Sequence, residues 1–224
     1  MKQFELVSLD MFQTLVNVDS RIEQIWKPIL LNSYTYEAAN QCAQLLLRYF
    51  FEHWVEMRKT KQFFLTKEVY ERSFLSVFEH LNISYDTAAA NKILFEEHRL
   101  SAFYEDTLEF LSRISAKYKI CIVSDADDAM LPRFYADYGI HIFTSEQYRS
   151  YKNDDSNTMF KEMLTFYNVN PSKVIHIGDS VSDVEGARRE GIITCWLNRN
   201  KKTWDYELKP DYVIESFNDL EGIL

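Results

Sequence analysis

Phe4-Glu5-Leu6-Val7-Ser8-Leu9-Asp10-Met11-Phe12-Gln13-Thr14-Leu15 is a short apolar run that delivers one aspartate into a turn. The run Leu6-Val7-Ser8-Leu9 is brief and stops at polar residues, which suits a buried strand of a parallel sheet better than a helix. A carboxylate at the carboxyl end of such a strand faces the crevice where open α/β sheets bind ligands. A lone Asp after a strand also serves as a helix cap, so the meaning of Asp10 depends on what else the chain supplies.

Far downstream, Lys173-Val174-Ile175-His176-Ile177-Gly178-Asp179-Ser180-Val181-Ser182-Asp183-Val184-Glu185-Gly186-Ala187 repeats the design: an apolar strand, a Gly-Asp-Ser turn, a second acid and a small-residue helix start. Between the two lie Ile120-Cys121-Ile122-Val123-Ser124-Asp125, a strand ending in a hydroxyl residue, and Lys152, in a loop after the strand-like Ile140-His141-Ile142-Phe143. Four strand ends thus offer a carboxylate, a hydroxyl, an ammonium and an acidic pair.

That ordered set resembles the four motifs of the haloacid dehalogenase (HAD) superfamily of hydrolases, dominated by magnesium-dependent phosphatases. The resemblance implies an α/β fold, a doubly wound Rossmann-like parallel sheet core with an inserted all-α helical cap domain. On this sequence the core takes residues 1–16 and 103–224, and the cap 17–102. It implies Asp10 as nucleophile on phosphorus, forming an aspartyl-phosphate that divides hydrolysis into two steps. It implies Mg2+ held by Asp10, the backbone carbonyl of Phe12 and Asp179, with Asp183 nearby or acting through water. Ser124 and Lys152 would bind the phosphoryl group, with Asp125 beside them in the substrate-binding set. As ordinary residues, Ser124 would be a strand-to-loop residue and Lys152 a solvated charge. Asn153 stands where many relatives have Pro. Asp127 and Asp128, extra acids after Ser124, are expected to cap the helix that follows them.

The departures point elsewhere. Phosphatases of the superfamily usually carry an acid/base Asp two residues after the nucleophile, and here that residue is Phe12, which transfers no proton. General acid–base catalysis is worth roughly 10²–10⁴-fold, or about 3–5 kcal/mol of barrier. Gln13 replaces the usual Gly, which bears on the freedom of the turn. Haloacid dehalogenases of the same superfamily carry an aromatic residue at the Phe12 position, since their Asp attacks carbon. Two unliganded carboxylates beside Asp10 would oppose attack on a haloacid anion, which favours the phosphatase branch. The alternatives kept are a 2-haloacid dehalogenase-type hydrolase and a catalytically silent protein that binds phosphate or a metabolite. His53, in the cap, is a candidate replacement acid, against its reading as an exposed helix histidine.

Between residues 19 and 101 the chain has no Gly and one Pro, Pro28, which argues for helices. Apolar residues recur at helical spacing at Cys42, Leu45, Leu46, Tyr49, Phe50 and Val55, and again at Val69, Phe74, Val77, Phe78 and Leu81. Three to five helices are expected, with breaks near 32–33, 60–66 and 82–86, and with Thr66-Lys67-Glu68 and Asp86-Thr87 as helix starts. The aromatic residues of this segment, Trp26 and Trp54 among them, read as bundle core, a few as lining a cleft that selects substrate. From Tyr104 onward an alternation is expected of helix 106–117, strand 119–123, helix 129–138, strand 140–143, helix 157–167, strand 174–177, helix 181–190, strand 193–197 and a last strand near 212–214.

Composition excludes other classes. Of 224 residues, 46% are hydrophobic and 26% charged, which fits a globular protein. A net charge of −9 argues against nucleic acid or an anionic membrane as partner, and the small phosphorylated or haloacid substrate is what the resemblance implies. No apolar run reaches membrane-spanning length, and Met1-Lys2-Gln3 leads into the first strand without a signal peptide, so a cytoplasmic location is expected. Cys42, Cys121 and Cys195 are widely spaced, which suggests neither a zinc site nor a disulfide.

Overall fold

The computed structural model describes residues 3–224, so the reading of Met1 and Lys2 as leading into the first strand lies outside the described residues. The chain divides into two compact units: one comprises the segment ending at Asn17, Ala102–Asp125 and Arg133–Leu224, and the other Val18–Ser101 together with Ala126–Pro132.

In the first unit, β1 (Leu6–Leu9) opens the sheet and β2 (Val16–Asn17) follows the Asp10 turn. The second unit contributes α1 (Ile22–Leu30), α2 (Tyr36–Arg58), α3 (Thr66–Leu81) and α4 (Thr87–His98). The first unit resumes with β3 (Ala102–Phe103), α5 (Thr107–Ser115), β4 (Lys119–Ser124), α6 (Phe134–Asp137), β5 (His141–Thr144), α7 (Ser145–Tyr148), α8 (Thr158–Tyr167), β6 (Val174–Gly178), α9 (Val181–Arg189), β7 (Ile193–Leu197) and β8 (Tyr212–Ile214). Six strands form one sheet in the order β5-β4-β1-β6-β7-β8, with every pairing parallel. This is the doubly wound Rossmann-like arrangement. β1 is buried at every position because helices cover both faces, which is why its sequence reads as a continuous apolar run rather than an alternation. The chain winds outward through β4 and β5, then crosses back to lay β6 on the other side of β1. Order therefore reverses at β1, the place where such sheets bind ligands.

The helical unit buries most of its apolar stripes, Cys42, Leu46, Val69, Phe74, Val77 and Phe78 among them, but Val55, expected on the α2 stripe, is exposed. Trp26 and Phe74 pack at 5.7 Å between ring centroids, Phe74 and Phe78 at 5.6 Å, and Phe50 and Tyr70 at 4.5 Å. Helix breaks fall at 31–35, 59–65 and 82–86. Asp86 caps α4 by accepting from the Ala89 amide at 2.7 Å.

Two expectations fail for physical reasons. Helix 129–138 does not form: a 3₁₀ turn at Asp128–Met130 and the four-residue α6 replace it. Pro132 removes an amide donor and pushes Leu131 out of the helical region, to ψ 129°. Asp127 does not cap the helix after it either. Its buried carboxylate accepts from the amides of Thr66 at 2.9 Å and Lys67 at 2.7 Å, so it caps α3, whose own N-cap position holds Leu65 with no side-chain acceptor. The two-stranded ribbon of β2 and β3 and the short α7 were not legible in the sequence, being too brief to carry a period.

Asp127→Ala would expose two donors and lose their bonds. An N-cap deletion costs about 0.5–2 kcal/mol, and hydrogen exchange at the Thr66 and Lys67 amides should accelerate before exchange in α2 changes.

Candidate active site

Three adjacent strands deliver the central groups. Asp10 leaves β1, Ser124 ends β4 and Asp179 follows β6, so all three stand at the carboxyl edge of the sheet. Asp10 is held there by its amide, which donates to the Ile177 carbonyl at 2.9 Å.

Lys152 occupies the centre of the site. The residue is 3% exposed, and its ammonium donates to Asp10 Oδ1 at 2.7 Å and to Asp183 Oδ1. Its own amide donates to Asp125 Oδ1 at 2.8 Å. Burial alone would lower the Lys152 pKa, but the carboxylates of Asp10, Asp183 and Asp125 outweigh it and raise the pKa, so the group is charged throughout the accessible pH range. Asn153, in the place where relatives carry Pro, donates to Glu185 at 2.9 Å. The approach of α9 to this loop requires Gly186, because a Cβ there would lie 1.8 Å from the Lys152 carbonyl.

Ser124 Oγ donates to the same Asp10 oxygen at 3.0 Å. No donor among the described residues meets Asp10 Oδ2. Burial raises the Asp10 pKa, Lys152 opposes it and Asp183 adds to it.

Asp183 is saturated. Oδ1 receives Lys152 and His176 Nε2, the latter at 3.0 Å, while Oδ2 receives the Ser180 amide at 3.0 Å and Ser180 Oγ at 2.5 Å. Burial would raise its pKa, but Lys152 and His176 reverse that and hold the carboxyl well below the usual range. Gly178 makes room for this side chain, since a Cβ would lie 2.2 Å from the Asp183 carboxyl carbon.

Asp179 is the opposite case. Its backbone carbonyl accepts from Trp196 Nε1 at 2.9 Å, but no hydrogen-bond donor among the described residues meets its carboxylate. Burial, with Asp10 and Asp183 adding, pushes its pKa up to about 8. Burial also raises Asp125, to about 6, with Lys152 opposing. Carboxylate oxygens of Asp10, Asp179 and Asp183 lie within 4.8 Å of one another. Acidity this concentrated, with one carboxylate lacking any donor, fits a hard divalent cation.

The turn after Asp10 keeps its shape without glycine. Gln13 sits at φ 59°, its amide donates to Val16 at 2.7 Å, and its side-chain oxygen accepts from Tyr104 Oη at 2.6 Å. The Arg199 guanidinium lies 4.1 Å from the Tyr104 ring centroid, pairs with both oxygens of Asp106 and donates to the Thr14 carbonyl at 3.2 Å. Thr107 Oγ1 donates to the Leu15 carbonyl at 2.9 Å. Phe12 is half-buried beside Asp10. His53 is half-buried in the helical unit, 2.9 Å from Ser76 Oγ.

The sequence reading thus named residues that the fold brings together in Asp10, Ser124, Asp125, Lys152, Asp179 and Asp183. It passed over Ser8, His176 and Arg199. The signal for the first two was available: each is a polar residue inside an otherwise apolar strand.

A parallel sheet whose carboxyl edge gathers a carboxylate, a hydroxyl, an ammonium and an acidic pair defines an α/β hydrolase. The sequence matches the haloacid dehalogenase-like hydrolase family over residues 4–191, and the chain belongs to that family. Among curated proteins it is similar to (S)-2-haloacid dehalogenase 2 of Pseudomonas sp. strain CBS-3, 33% identical over 54 residues, a stretch covering 24% of each chain. Among solved structures, HAD-hydrolase YfnB from Bacillus subtilis bound to magnesium superposes with a TM-score of 0.83 at 17% identity, over 100% of this chain and 99% of that one. L-2-haloacid dehalogenase from Xanthobacter autotrophicus gives 0.81 at 16%, over 98% of each. At these identities the structural likeness shows the fold. Among the described residues no helix is long and apolar enough to cross a membrane.

Two outcomes follow. Asp179 takes up its proton near 8 when folded and at 3.8 when unfolded, so the stability it contributes is full below about pH 4 and is lost as pH rises through 8. In chelator, Asp179→Asn should therefore gain thermal midpoint over the native protein at pH 8 relative to pH 5. Gln13→Gly and Gln13→Ala both lose the Tyr104 bond, but only Ala keeps a Cβ at positive φ. Gly should be the more stable variant by about 1 kcal/mol in urea unfolding.

Proposed function

We propose that this hydrolase is a magnesium-dependent phosphatase or phosphotransferase that acts on a small phosphorylated metabolite with Asp10 as nucleophile. The observation that carries the reading is the carboxylate of Asp179, which lacks a donor beside Asp10 and Asp183. A site built for a haloacid anion gains nothing from that charge, whereas a divalent cation neutralises it.

Asp10, Asp179 and the Phe12 carbonyl would hold Mg2+, and Asp183, whose oxygens already receive four donors, serves by fixing Lys152. The ion, when bound, offsets repulsion between Asp10 and a phosphate dianion and stabilises charge in the transition state. Lys152 and Ser124 keep Asp10 Oδ1 in place, which aims Oδ2 at phosphorus. The new bond is Oδ2–P, the bond that breaks is P–O to the leaving group, and the electron pair leaves with that oxygen. Water then attacks the aspartyl-phosphate and returns the carboxylate. Phe12 donates no proton, so leaving groups stable as anions, such as acyl and aryl phosphates, are favoured over alkoxides.

A second reading has its own support. Dehalogenation expels halide, which needs no proton, so Phe12 is no handicap there, and the curated relative over the 54-residue stretch is a 2-haloacid dehalogenase. In that case Asp10 Oδ2 attacks carbon, and water hydrolyses the resulting ester.

Phosphate release from acetyl phosphate and p-nitrophenyl phosphate, and halide release from 2-chloropropionate, separate the two. The expected result is Mg2+-dependent phosphate release that falls at least ~10²-fold in Asp10→Asn and rises in Phe12→Asp, by up to about 10²-fold with p-nitrophenyl phosphate. Metal-independent chloride release without phosphate release would establish the second reading. Ligand-induced stabilisation without any turnover would mark a binding protein.

A further inference from the structure

Ser8 and His176 are register partners across β1 and β6, and Cys121 on β4 and Thr194 on β7 continue the same rung. All four are buried, with His176 1% exposed. A histidine in the middle of a buried parallel strand has to satisfy both ring nitrogens internally. Here Nε2 lies 3.0 Å from Asp183 Oδ1 and Nδ1 lies 2.8 Å from Ser8 Oγ, while the ring edge packs on Phe160 at 4.9 Å. A carboxylate only accepts, so Nε2 carries the proton that it shares with Asp183.

We infer that His176, held by Ser8, is a positioning residue: it fixes the Asp183 carboxylate so that Lys152 is aimed at Asp10. The assignment rests on the reading of Asp10 and Lys152 as the groups that act on substrate. Asp183 Oδ1 has two donors, Lys152 and His176, and Oδ2 is tied to the Ser180 turn. Without the imidazole Oδ1 keeps Lys152 alone, so its position is set only by the Ser180 hinge at Oδ2, and the ammonium it anchors loses its fixed direction. The order of dependence runs from sheet to site: Ser8 sets the ring, the ring sets Asp183, Asp183 sets Lys152, and Lys152 sets Asp10. Supporting partners of this kind are worth 10–100-fold in activity or affinity at comparable sites.

The variants are His176→Leu, which removes the donor, His176→Gln, whose amide reaches the same place as Nε2, and Ser8→Ala, which releases the ring with little loss of volume. The first readout is amine acylation by an N-hydroxysuccinimide ester, quantified at Lys152 by peptide mass spectrometry. It needs no catalytic activity. Lys152 should be protected in the native protein and in His176→Gln, and labelled at least ~10-fold faster in His176→Leu, with Ser8→Ala between. The second readout is Mg2+-dependent turnover of acetyl phosphate, where kcat should fall about 10–100-fold in His176→Leu and recover most of the way in His176→Gln. Unchanged Lys152 labelling in folded His176→Leu, or equal labelling in the Leu and Gln variants, overturns the inference. If His176→Leu does not fold, Ser8→Ala decides by the same labelling measurement. Labelling that follows the expected order with no turnover in any protein leaves the positioning intact and removes the phosphatase reading instead.

Discussion

One buried ammonium balances the site. Lys152 is the cation among Asp10, Asp125 and Asp183, and it touches or approaches all of them through its side chain and its own amide. Charges taken out of water are tolerated only when paired and fully hydrogen-bonded, and breaking such a pair by removing one partner costs about 3–5 kcal/mol. Much of the local architecture follows from that constraint. Glycine is needed at position 186 so that α9 can lie against the Lys152 carbonyl, and at position 178 so that the Asp183 side chain can turn toward the ammonium. Lys152 makes no hydrogen bond to the Asp179 carboxylate, and the proposed divalent ion rests on that residue.

The long-range order of the chain was legible because it rests on strong, repeated signals. An apolar run with an acid at its end, met twice, gave the two central strands and placed Asp10 and Asp179. The absence of Gly between 19 and 101 gave a helical segment whose breaks fall where polar residues interrupt the spacing. What was not legible depends on contacts between residues far apart in sequence. Asp127 looked like the cap of the helix following it because capping is ordinarily local, yet its acceptors were claimed by the amides of Thr66 and Lys67, and Pro132 had already spoiled the nearer helix. Gln13 looked like an obstacle to the turn, and is accommodated because Tyr104, ninety-one residues away, holds its side chain while the backbone accepts a left-handed angle. Ser8 and His176 were visible as polar letters in apolar strands, but their pairing is a matter of register, which no single strand specifies.

The functional reading and the fold stand on different supports. Family membership follows from the match over residues 4–191. The choice between phosphorus and carbon as the atom attacked turns on two side chains with opposite implications, an acid at 179 and a phenyl ring at 12. On the proposed phosphatase reading the two are reconciled if the leaving group needs no proton, as in phosphates of acidic alcohols or acids; a halide meets the same condition on the second reading.

The helical unit includes Ala126–Pro132 as well as Val18–Ser101, so it is built from two separate pieces of chain. That has an evolutionary and an engineering consequence. Recombination that exchanged the helical segment at its two obvious junctions would carry α3 into a new chain without the carboxylate that satisfies its first amides, and would leave behind a heptapeptide with Met130 and Leu131 stripped of their burial. A working chimera needs a third splice between Asp125 and Arg133, immediately after the residue that accepts from the Lys152 amide. The helical unit is therefore not a freely transferable cassette: substitutions in the first turn of α3 and in 126–132 are expected to be inherited together.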